Sequence, residues 1–181
     1  VWALRLLGHP SATRVYGPDL MAHFCAHAAL AGTPMYLYGG RSPEALDLLV
    51  ARLCERFPGL RIVGGFSPPF RPLTAAERER VVAEIDACGA QVVWVGTGQP
   101  KQELWMHEMR PLLAAPLLVG VGAAFDFHAG IVSQAPSWMQ RSGLEWVYRL
   151  SREPRRLWRR YLTQNPRFVV GFVRQYLRER R

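Results

Sequence analysis

No apolar run in the chain approaches the roughly 18–20 residues a membrane-crossing helix needs. The longest stretch, Ala114 to Phe125, is broken by Gly120 and Gly122. The three cysteines (Cys25, Cys54, Cys88) form no CxxC and stand near no histidine at metal-ligand spacing, so neither a disulfide framework nor a zinc site is expected. No Asp-x-Asp pair is present to hold a divalent ion on a diphosphate, and no metal or cofactor is expected. Val1 to Gly8 lacks the basic start, apolar stretch and cleavage site of a signal peptide. A chain that starts at Val1 without Met is read as a fragment of a longer one. There is no internal repeat or low-complexity segment.

What is present suits a folded domain. The 181 residues are 49% apolar and 20% charged, enough for one buried core with an appendage. Charge is unevenly placed. The last 41 residues carry twelve arginines against Glu145, Glu153 and Glu179, whereas residues 1–140 balance eleven bases against eleven acids, so the tail holds the entire +9. Such asymmetry points to a polyanionic partner, a nucleic acid or an anionic membrane surface.

From Met35 onward, short apolar runs alternate with helix-period segments, the pattern of repeated βα units over a parallel sheet. Strands are expected at Met35–Tyr38, Arg61–Val63, Gln91–Val95 and Leu117–Val119, with helices at Pro18–Ala31, Pro43–Arg56, Ala75–Cys88 and Lys101–Leu113. Ser42 before Pro43 reads as an N-cap, and Thr74 with Glu77 as a capping box. The fold class expected is α/β, a Rossmann-like parallel sheet flanked by helices, with a C-terminal basic helical appendage. The domains expected are 1–140, binding a nucleotide-sugar, and 141–181, docking on a membrane.

Each expected strand runs into glycine: Gly39-Gly40, Gly64-Gly65, Gly96-Thr97-Gly98 and Gly120-Val121-Gly122. In an open parallel sheet the ligand crevice lies outside these carboxyl ends, where glycine lets a ligand approach the backbone. Tight turns alone would explain any one of the four; the succession points to a ligand edge. A dinucleotide fingerprint fits poorly, because Gly96-Thr-Gly-Gln-Pro-Lys lacks the third glycine. The helix opening at Lys101 offers an anion site, with Gln102 a donor to sugar or phosphate oxygens and Glu103 a ligand for ribose or uracil. A solvated first turn is the alternative for Lys101 and Glu103. Residues 123–130 read as an apolar loop, in which Asp126 is either a satisfied buried carboxylate or a substrate ligand, and His128 a packing residue.

At 100° per residue, Arg155, Arg156, Arg159 and Arg160 fall on one side of a helix and Leu157, Trp158, Tyr161 and Leu162 on the other. A second helix, from Arg167 on, has a wide apolar face and a narrow stripe of Arg174, Arg178 and Arg181. Three readings stay open: a membrane-surface helix pair, a solvated basic face, and a nucleic-acid binder, in that order. Use of Arg almost to the exclusion of Lys, with interfacial Trp158, Tyr161 and Tyr176, favours the first.

Three stretches carry more than pattern: Gly96-Thr-Gly-Gln-Pro-Lys-Gln-Glu-Leu-Trp105, Gly120-Val-Gly-Ala-Ala-Phe-Asp-Phe-His-Ala-Gly130, and Ala135-Pro-Ser-Trp-Met139 leading to Gly143-Leu-Glu-Trp-Val-Tyr-Arg-Leu150 and Glu153-Pro-Arg-Arg156. With Arg14-Val-Tyr-Gly-Pro-Asp-Leu20, they closely resemble the WecG/TagA/CpsF glycosyltransferases over essentially the whole chain. The resemblance implies inverting, metal-independent transfer of a hexose or N-acetylhexosamine-type sugar. The donor is a UDP-sugar and the acceptor a polyprenyl-diphosphate-linked saccharide, on the cytoplasmic face of a bacterial membrane. Phe66-Ser-Pro-Pro-Phe-Arg71 looks closer to the exopolysaccharide branch. Arg14 resembles the family's positively charged site residue, and it and Gln102 are the catalytic candidates in this chain. The family's favoured base, an Asp in an Asp-Gly segment, stands upstream of the position of Val1, so a chain without it is expected to be inactive. Arg155, Arg156, Arg159 and Arg160 are candidates for the UDP diphosphate. The partners expected are the donor, the acceptor and an anionic membrane surface, with a homo-oligomer left open and no nucleic acid. The rival readings are a non-catalytic UDP-binding module and a basic-tail nucleic-acid binder.

Overall fold

The structure, a computed structural model, describes residues 1–179 apart from the side chains of Arg156 and Arg160. It divides into two compact units, one of residues 15–133 and one that joins residues 1–14 to 134–181. Residues 1–14 and 134–140 thus group with the tail and not with the sheet.

In the sheet unit the order is α2 (Gly17–Ala31), β1 (Met35–Gly39), α3 (Pro43–Arg56), β2 (Ile62–Phe66), α4 (Ala75–Ala87), β3 (Val92–Gly96), α5 (Lys101–Met109), β4 (Leu117–Gly120) and α6 (Ala124–His128). The four strands are all parallel, in the order β2-β1-β3-β4. The chain leaves β1 for β2 on one side and returns to β3 on the other. The order therefore reverses between β1 and β3, the place where such sheets open a crevice.

Local chemistry sets the boundaries. The Ser42 hydroxyl accepts from the Ala45 N–H at 3.3 Å, with Pro43 at the first helical position. Thr74 and Glu77 form the capping box, and Arg71 forks onto the Glu77 carboxylate at 2.7 and 2.8 Å. These contacts hold the Glu77 carboxyl far down, at about 2.

Alternation along the strands builds two cores. Met35, Leu37, Val92 and Trp94 face Met21 and Cys25 of α2, Leu49 and Leu53 of α3 and Phe125 of α6. Tyr36, Tyr38, Val93 and Val95 face Val81 and Ile85 of α4 and Met109 of α5. Each fully buried Leu or Met contributes roughly 1.5–3 kcal/mol by leaving water.

Two expectations need correction. Residues 123–130 are not a loop, because Ala124–His128 turn once as α6, seating Phe125 in the core. The tail does not break at Pro166. It is α9, one helix over Pro154–Glu179 with Pro166 inside it. Proline lacks an N–H and crowds the preceding turn, which makes it a helix breaker in sequence reading, yet a long helix tolerates the single lost bond.

In the second unit α9 is joined by α1 (Trp2–Leu6), α7 (Ser137–Arg141) and α8 (Glu145–Arg152). Trp146 of α8 meets Tyr161 of α9 edge-on at 6.0 Å. Along α9 Leu157 is buried, whereas Leu162, Phe168, Val169, Val170, Val173 and Leu177 are exposed. Among the described residues, no helix is long and apolar enough to cross a membrane.

Candidate functional site

The site begins with two glycines in register across the reversal point, Gly39 ending β1 and Gly96 ending β3. Gly39 has φ +139°, and a Cβ on it would lie 2.7 Å from the Gly96 carbonyl carbon. A Cβ on Gly96 would meet the Phe125 ring at 2.5 Å. Two bare backbones and a ring edge are packed here as closely as atoms permit. Gly40 follows at φ +97°, and Gly98 at φ +80° with open space where its Cβ would be.

The third turn receives a side chain. Gln102, in the first turn of α5, is 6% exposed, the one buried polar or charged side chain of the described core. It lies along the end of β4, so that a Cβ on Gly120 would fall 2.8 Å from Gln102 Nε2 and one on Gly122 3.4 Å from Oε1. Glycine at 120 is what gives the amide room. Gln102 Nε2 donates to Glu103 Oε1 at 3.0 Å, which fixes the orientation of the amide. Its Oε1 has no hydrogen-bond partner. The Gln102 N–H donates to the Gly98 carbonyl at 2.9 Å, so this amide of the helix start is already engaged.

Three buried polar side-chain atoms are unpartnered among the described residues: Thr97 Oγ1, Gln102 Oε1 and Trp105 Nε1. All three fall within nine residues of the β3–α5 segment. Buried polar groups are nearly always paired, so this concentration makes the β3–α5 segment the candidate site.

On the far side of β3, Arg41 Nε donates to Asp126 Oδ1 at 2.9 Å. Arg41 follows the β1 glycines and Asp126 lies just beyond the β4 glycines, so the ion pair spans the end of the intervening strand. The carboxylate is only 17% exposed. His128, two residues after Asp126, holds the Pro18 carbonyl through Nε2 at 2.9 Å, and burial pushes its pKa below 6.5. The ring is engaged with backbone, not free as a base is required to be.

Gly39, Gly40, Gly96, Gly98, Gln102, Gly122 and Asp126 therefore gather around the C-terminal ends of β1, β3 and β4. Lys101 and Glu103 are exposed at the same helix start. The other candidates belong to the second unit. Arg14 is exposed and bonds Glu145 Oε2 at 2.6 Å and Gln140 Oε1 at 3.1 Å. Arg155 is exposed, and Arg159 lies 5.2 Å over the Trp158 ring. The side chains of Arg156 and Arg160 lie outside the described residues.

Sequence reading missed Thr97, Arg41 and Phe125. Arg41, directly after the Gly39-Gly40 pair, carried a signal of position. Thr97 and Phe125 gave none, since their roles depend on which element packs over the turn.

The family model for the glycosyl transferase WecG/TagA/CpsF family matches residues 1–181, and the chain belongs to this family.

Proposed function

We propose that, as a member of this glycosyltransferase family, the protein takes a hexose or N-acetylhexosamine-type sugar from a UDP-sugar. It passes the sugar to a polyprenyl-diphosphate-linked saccharide in bacterial exopolysaccharide or cell-surface polymer synthesis. The observation that carries this reading is the buried, unpartnered Gln102 Oε1 among the glycine turns at the ends of β3 and β4. A polar atom held out of water without a partner costs about 1–3 kcal/mol, a cost a bound ligand with a suitable donor removes.

Transfer with inversion asks the protein to hold donor and acceptor in line, accept the acceptor's hydroxyl proton and stabilise the departing diphosphate. Gln102 orients the donor, and Gly39, Gly40, Gly96, Gly98 and Gly122 let it approach the backbone. Lys101 and Glu103 flank the helix start, with Asp126 as a substrate ligand held by Arg41. The positive charge that a leaving diphosphate needs in a metal-independent reaction is assigned on sequence grounds alone to the family-like candidates Arg14, Arg155, Arg156, Arg159 and Arg160.

The tail acts as a surface anchor on the inner face of the membrane. Support comes from Leu162, Phe168, Val169, Val173 and Leu177, exposed on the same helix as a row of arginines. Interfacial helices combine these two faces. A lipid-linked acceptor keeps its reactive sugar at that surface, and docking there raises its effective concentration.

Calorimetry of the 181-residue chain with UDP and with NAD, each with and without EDTA, tests the donor assignment. UDP is expected to bind more tightly than NAD, and EDTA to leave its affinity unchanged. Equal affinity for the two nucleotides overturns the reading.

A further inference from the structure

We propose that Thr97 Oγ1 and Gln102 Oε1 together form a recognition point for one planar amide or imide edge of the donor, an N–H beside a C=O. The proposal rests on the UDP-sugar reading and adds to it the group that these two atoms recognise.

Both oxygens are buried and unpartnered. They also lie at neighbouring strand ends: Thr97 directly follows β3, whose Val93 and Val95 point into the core beneath α4 and α5, and Gln102 lies along the end of β4. Leu118 packs on the same core, and alternation carries Gly120 to that face, where Gln102 and Met106 occupy the space its Cβ would take. Gly98 ties them together. It follows Thr97, its carbonyl accepts from the Gln102 N–H, and its Cα lies 3.7 Å from the point where a Gly122 Cβ would be, with Gln102 Oε1 3.4 Å from that point.

The donor and acceptor inventory selects the ligand group. Gln102 Nε2 is committed to Glu103, so the amide presents only its carbonyl oxygen and asks for a donor. The Thr97 hydroxyl has one proton to give and asks for an acceptor. An edge with one N–H next to one C=O answers both. A vicinal diol would bring two donors and four lone pairs to these two oxygens, leaving most of them unanswered.

Two parts of a donor carry this edge: the uracil imide, and the acetamido group of an N-acetylhexosamine. Calorimetry with four probes separates them. UDP against N3-methyl-UDP isolates the imide N–H, and UDP-N-acetylglucosamine against UDP-glucose isolates the acetamide. One of these two discriminations is expected to be about tenfold or more in the unaltered chain, the size of one well-made hydrogen bond. It should collapse toward unity in both Thr97→Val and Gln102→Met, and return in Thr97→Ser. The pair that responds identifies the edge. The proposal is overturned if neither discrimination exists in the unaltered chain, or if both variants keep it while remaining folded by thermal melting. Failure of the unaltered chain to bind UDP at all overturns the donor reading itself, and this proposal with it.

Discussion

Replacing Gly96 by alanine tests whether the packing at the reversal point is as tight as the structure has it. The new Cβ would stand 2.5 Å from the Phe125 Cγ and Cδ2, where carbon atoms prefer about 3.5–4.0 Å, so the ring must retreat by about 1 Å. Phe125 is 2% exposed and packed in one cluster with Met21, Trp94 and Ala124, which leaves it nowhere to go without moving α6. Overpacking of this kind costs about 1–3 kcal/mol. Gly96 does not have positive φ, so alanine's smaller unfolded-state entropy returns about 0.4–1 kcal/mol. At the middle of both ranges the net loss is about 1 kcal/mol, a fall in Tm of about 2–4 °C at this chain length. Because Asp126 adjoins Phe125 on α6, its bond to Arg41 should loosen as well, and UDP affinity should fall. Gly171→Ala serves as the control. Gly171 lies inside α9 with nothing within 4 Å of its Cβ position and no positive φ, so helix propensity alone should raise stability by about 0.5–1 kcal/mol. Urea and thermal melts followed by circular dichroism give both numbers. A Gly96→Ala protein as stable as the parent, with UDP affinity intact, would refute the argument.

Further expectations concern separate parts of the chain. Thr74→Ala removes the hydroxyl half of the capping box on α4 and should cost about 1 kcal/mol in urea melts. Since the folded His128 pKa lies below 6.5, the unfolded chain binds the extra proton first; stability should hold above pH 6.5 and decline as pH falls through and below it. His128→Gln, which keeps a donor for the Pro18 carbonyl, should flatten that decline in melts run as a pH series. Truncation after Leu150 removes α9 and should abolish co-sedimentation with anionic liposomes, and undiminished sedimentation refutes the anchor reading.

The strands and flanking helices were legible because each is announced locally. Apolar runs such as Met35–Tyr38 end in glycine, Ser42-Pro43 and Thr74 to Glu77 mark helix starts, and α2, α3 and α4 were placed to within a few residues of their positions. Only α5 stopped well short, at Met109 instead of Leu113. The five-residue α6 was missed because its N-cap, Ala123, offers no side-chain cap and one turn is too short to show a period. Pro166 misled for the opposite reason, a strong local breaker overridden within a long helix. In the site, the glycines and Gln102 could be read from the ends of strands and the start of a helix. The burial of Gln102 could not, since it depends on Gly120 across the gap, nor could the Arg41–Asp126 pair, 85 residues apart in the chain.

The central claim is that a uridine nucleotide binds at the C-terminal ends of β1, β3 and β4. The most direct measurement is a UDP titration of the isotope-labelled chain, following backbone amide shifts residue by residue. Saturable shifts are expected at Gly39 and Gly40, at Gly96 to Gln102 and at Gly120 to Gly122, with the cores beneath α2 and α4 silent. Shifts confined to the arginine-bearing helix, or growing linearly without saturation, would contradict the account.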